Sequence, residues 1–89
     1  MTTAEKIWDL SKKLIPPNLK DQLDINHHYF MRTDEVEQPF SNLCGILKQE
    51  KVRVSQEDKK LIDEIGESLW NDGEYWQHRM KTKYWKDII

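Results

Sequence analysis

The chain has 89 residues, 14 of them basic and 16 acidic, and a single cysteine, Cys44. That length supports one domain with one core, burying about 60 to 65 % of the surface the unfolded chain exposes. One thiol excludes a disulfide framework, one cysteine with three histidines is too few for a closed cysteine-rich zinc site, and no stretch approaches the ~20 apolar residues of a membrane span.

Few glycines and prolines interrupt the sequence and apolar residues hardly alternate with polar ones, so helices are predicted throughout. Thr2 and Glu5 have the spacing of a capping box, and Ile7, Leu10 and Leu14 recur at helical intervals until Pro16 and Pro17, which predicts a helix over 3–14. Pro17 suits a first turn, and Leu19, Leu23, Asn26/His27 and Phe30 carry a second helix to about Arg32. Asp34 with Glu37 offers a cap for the third. Pro39 would then fall where a backbone donor is needed, so the regular part is predicted to begin nearer Gln38, with Phe40, Leu43, Cys44 and Leu47 as its inner face. The segment KVRV is too short to pair as a strand and reads as an extended connector. Ser55 and Asp58 mark the start of a fourth helix over about 56–70, stapled by Val54 and buried through Leu61, Ile62, Ile65 and Leu69. Asn71-Asp72-Gly73 signals a turn, and a fifth, shorter helix is predicted from about Glu74 to Trp85.

The expected fold is therefore all-α: a single domain over 1–89, built as a bundle of four or five short helices. Its core is predicted from Trp8, Leu10, Leu14, Leu23, Phe30, Phe40, Leu43, Cys44, Leu47, Leu61, Ile62, Ile65 and Leu69. The N-terminal MTTAEKIWDL lacks the basic-then-apolar order of a secretory signal, so a cytoplasmic location without membrane contact is expected.

No arrangement of residues suggests catalysis. His27 and His28 are adjacent, so on a helix they point about 100° apart and cannot share a metal as an i, i+4 pair can. Cys44 lies on the apolar face of its helix, where a thiol acts as a small hydrophobe with a raised pKa. No glycine-rich phosphate loop is present. The expectation is a protein that is not an enzyme, with no catalytic residue, metal ligand or cofactor.

Charge is distributed unevenly. From Glu57 to Glu74 seven acids meet only Lys59 and Lys60, a local charge of −5; from Gln77 to Lys86, Arg79, Lys81, Lys83 and Lys86 meet no acid. Glu64 has no lysine or arginine at i+4, and like charges on successive turns destabilise a helix slightly, so such repulsion asks for an external partner. Trp70, Tyr75 and Trp76 beside it are residue types that anchor interface centres. Charge thus nominates Asp63, Glu64, Glu67, Trp70, Asp72, Glu74, Tyr75 and Trp76 as a face that docks on a cationic protein surface. The alternative is a small nucleic-acid-binding regulatory domain that uses the basic, aromatic segment QHRMKTKYWKDII.

The run PFSNLCGILKQEKVRVSQEDKKLIDEIGESL, residues 39–69, resembles the small MafI-type bacterial immunity proteins. The residues that carry the resemblance are Phe40, Leu43, Cys44 and Leu47, then Val52 and Val54, then Ser55, Glu57, Ile62, Ile65 and Gly66, about a third of the chain. Pro39 and the tryptophan-rich segment beyond Gly73 depart from the pattern. The resemblance implies an immunity protein of a contact-dependent growth inhibition or other polymorphic toxin system. Such a protein binds and neutralises its cognate toxin in the cytoplasm, many of these toxins being nucleases. On that reading the partner is a protein toxin domain with a cationic active-site cleft, no direct contact with nucleic acid is expected, and the oligomeric state is left open.

Overall fold

The computed structural model describes residues 2–32, 36–71 and 83–89. The fold is all-α, as the punctuation predicts: α1 Thr3–Leu14, a 3₁₀ turn Pro17–Leu19, α2 Lys20–Arg32, α3 Glu37–Gln49, α4 Gln56–Asn71 and a second 3₁₀ turn Tyr84–Asp87, with no strand among the described residues. No helix among them is long and apolar enough to cross a membrane. The chain divides into two compact units, Met1–Arg53 and Val54–Ile89.

In the first unit α1 opens with the anticipated capping box. Thr2 Oγ1 accepts from the Glu5 amide and Glu5 Oε1 accepts from the Thr2 amide, each at 3.1 Å, which satisfies two of the donors a helix start leaves orphaned. The helix ends at Ile15, before Pro16. α3 begins at Glu37, so Pro39 lies inside the first turn. Its missing N–H costs nothing there, because Phe40 is the residue whose amide first reaches back four, to Val36 O at 3.2 Å. This corrects the later start anticipated from the proline. The end of α3 is held by Lys51, which adopts a positive φ of 51°. The amides of Val52 and Lys51 turn back to Leu47 O at 3.1 Å and Lys48 O at 3.4 Å, a Schellman closure with lysine in the place glycine usually takes.

α1 packs against α2, and both pack against α3. Ile7, Leu10, Leu14, Ile15, Phe40, Leu43, Cys44, Ile46 and Leu47 are buried. α2 contributes a different kind of core residue. Asn26, 1 % exposed, donates from Nδ2 to Ser11 Oγ of α1 at 3.0 Å and to Pro39 O of α3 at 3.3 Å, and accepts from Asn42 Nδ2 at 2.8 Å. Ser11 Oγ in turn donates to Ile7 O at 2.8 Å. Buried amides are tolerated only when satisfied, and this chain of bonds fixes the register of all three helices at one point. Trp8, Leu23 and Phe30 are half-buried, not sealed as expected. Trp8 instead stacks with His27 at 4.8 Å and with Phe30 at 5.8 Å, both on α2, with Lys12 Nζ 5.5 Å from its ring centre.

The second unit is α4 with the C-terminal 3₁₀ turn packed on it. Ser55 caps α4 as predicted, its Oγ accepting from the Asp58 amide at 3.2 Å. Ile62, Ile65 and Leu69 are buried, while Leu61 is half-buried. The largest fully buried side chain among the described residues here is one absent from the expected core: Trp85, 0 % exposed. The predicted fifth helix, 74–85, falls mostly outside the described residues, and its described end is the 3₁₀ turn.

Candidate functional site

Helix periodicity divides the polar side chains of α4 into two stripes. Asp63, Glu67 and Trp70 stand at i, i+4 and i+7, and the 3₁₀ turn lies on that stripe. Glu57, Lys60, Glu64 and Ser68 form the neighbouring, exposed stripe.

The inner stripe is engaged within the molecule. Lys86 Nζ lies 2.7 Å from Asp63 Oδ1 and 3.0 Å from Glu67 Oε1, and Lys83 Nζ lies 3.2 Å from Glu67 Oε2. Trp85 Nε1 donates to the same Asp63 Oδ1 at 3.0 Å, which satisfies the one polar atom of an otherwise sealed indole. Lys83 Nζ also sits 5.4 Å from the ring centre of Trp70, and the Trp70 and Trp85 rings meet edge to face at 6.3 Å. The Lys86 ammonium is the main cause that holds the Asp63 and Glu67 carboxyls below their usual values, and the two carboxylates in turn raise the Lys86 ammonium. The four charged side chains remain between a third and two-fifths exposed, so each pair contributes modestly and is screened by salt.

The close approach depends on Gly66. A Cβ at this position would fall on Cδ2 and Cε2 of the Trp85 indole, so only glycine lets the ring lie against the backbone of α4. Neither residue carries a local signal of this contact: Gly66 is only one position of the quoted motif, and Trp85 lies outside the predicted core.

The nominated docking residues therefore separate. Asp63 and Glu67 are not uncompensated; lysines sixteen to twenty-three positions further on supply what the i+4 positions lack. Trp70 is half-buried beneath Lys83. Glu64 is exposed, with no hydrogen bond or ion pair to a described residue, and Glu57, two turns before it, is the same. Asp72, Glu74, Tyr75 and Trp76 lie outside the described residues. For the nucleic-acid alternative, Trp85 is inaccessible as a stacking platform and Lys83 and Lys86 are paired, while Arg79 and Lys81 lie outside the described residues.

Elsewhere, no group of histidine, cysteine and acidic side chains among the described residues could hold a metal ion. Cys44 is buried, and burial pushes its thiol up to about 12. No protein-family model matches the chain, and no curated protein or solved structure matches it either, so the resemblance to immunity proteins rests on the quoted residues alone.

Proposed function

We propose that this chain is an immunity-type protein that binds a cognate bacterial toxin domain, a nuclease, and blocks its cationic substrate cleft. The observation that carries the reading is the outward stripe of α4, where Glu57 and Glu64 stand exposed on either side of Lys60 with no hydrogen bond or ion pair to a described residue, while their neighbours Asp63 and Glu67 are satisfied. A nuclease must hold a polyanion, so its cleft presents lysine and arginine to which free carboxylates are complementary. Asp63 and Glu67 take a positioning role, holding the C-terminal turn and the half-buried Trp70 in place. Trp70, with Asp72, Glu74, Tyr75 and Trp76, supplies the remaining contacts. The residues behind the resemblance have structural roles: Phe40, Leu43, Cys44, Leu47, Ile62 and Ile65 are buried, Ser55 caps α4 and Gly66 seats an indole.

The test is growth rescue. The toxin domain encoded beside this chain is expressed in a bacterium with and without it; co-expression is expected to restore growth and to yield a stoichiometric complex. A toxin that kills equally in its presence, with no complex formed, would overturn the reading.

A further inference from the structure

The first unit carries a groove of about 450 Å³ between α2 and α3. Its described walls are rich in carboxamides, Gln22 from α2 and Gln38, Asn42 and Gln49 from α3, with Glu50 the one charged side chain. Asn42 is oriented by its 2.8 Å bond to the buried Asn26, whereas Gln22, Gln38 and Gln49 make no hydrogen bond to a described residue.

Gly45 also lines this groove, and it is the residue that packing does not explain. A glycine inside a helix is a poor helix former beside alanine, and here a Cβ would meet no atom within 4 Å. Gly66 is required by an indole pressed against it; no described residue crowds Gly45. What its missing side chain provides is access, because it bares the backbone of α3 within the groove.

The chemistry of the walls selects the occupant. Each carboxamide presents a donor beside an acceptor, the pattern of a peptide group. The described lining holds no cation for a phosphate and no aromatic ring on which a base or sugar would stack. We propose that this groove binds an extended stretch of a protein partner, its peptide groups paired with the carboxamides and its backbone lying against Gly45. The inference rests on the immunity reading and adds to it a second area of contact with the toxin.

Calorimetric titration of a catalytically inactive form of the toxin domain encoded beside the chain tests this, with wild type, Gly45→Ala, Gly45→Gln and the double variant Gln38→Ala/Gln49→Ala. Both Gly45 variants are expected to melt at higher temperature than wild type, since the added atoms enter open space on a helix. Gly45→Gln and the double variant are nevertheless expected to weaken Kd about tenfold, the worth of one or two hydrogen bonds. Gly45→Gln and double variants that both keep Kd within about twofold of wild type would overturn the groove while leaving the immunity reading intact. Failure of the wild type itself to bind would remove both. A wild-type dimer that Gly45→Gln dissociates would assign the groove to a second copy of the chain and overturn the proposal.

Discussion

Gly66 shows how one residue determines a unit. Its hydrogen side chain lets the Trp85 indole reach α4, and the indole then brings its N–H to Asp63 and its neighbour Lys86 to the same carboxylate. Gly66→Ala forces the ring out of this seat, so the urea midpoint of unfolding is expected to fall by an amount equivalent to about 1–3 kcal/mol, the usual cost of overpacking, with α4 retained by circular dichroism. An unchanged midpoint would mean that Trp85 is not seated there. Neither partner was legible as a pair in the sequence, because nineteen positions separate them and no periodicity links a helix interior to a turn. Asn26 is hidden for a similar reason. Helical spacing puts Asn26 or His27 on the inner face of the second helix, but the partners that bury Asn26, namely Ser11, Pro39 and Asn42, come from two other helices and leave no local signal.

At the scale of elements, local signals read well and long-range ones did not. Thr2 with Glu5 and Ser55 with Asp58 place the starts of α1 and α4, since a cap needs only residues a few positions apart. The apolar spacing of Phe40, Leu43, Cys44 and Leu47 gives the inner face of α3. The pairing of Asp63 and Glu67 leaves no trace in the sequence because its partners are remote: i, i+4 pairing is visible in a sequence, whereas lysines delivered by a distant turn are not. That network has a pH signature. Asp63 and Glu67 carry lowered values in the folded state, so their contribution is present above the ordinary carboxylate range and is lost as pH falls through the lowered values. Lys86 carries a raised value, so its contribution holds below the ordinary lysine value and is lost as pH rises through the raised one. The wild type is therefore expected to lose more stability on acidification between about pH 5 and pH 2 than Asp63→Asn/Glu67→Gln, which keeps the acceptor for Trp85 but removes both charges. Parallel acid profiles from urea unfolding followed by tryptophan fluorescence would show that these pairs add nothing.

For the whole molecule, near-neutral total charge conceals a division of labour among carboxylates. Some are bound internally and hold the C-terminal turn; Glu57 and Glu64 are exposed and make no ion pair with a described residue. The proposed inhibition depends on that second group, because steering by complementary charge brings association toward ~10⁸ M⁻¹s⁻¹ at low salt and falls as salt is added. Stopped-flow association with the neighbouring toxin domain, measured across ionic strength, separates the two groups. Glu57→Lys/Glu64→Lys is predicted to slow association about tenfold or more at low salt and to flatten its salt dependence, with helix content unchanged. Association rates and salt slopes equal to those of the wild type would contradict a docking role for the exposed face of α4.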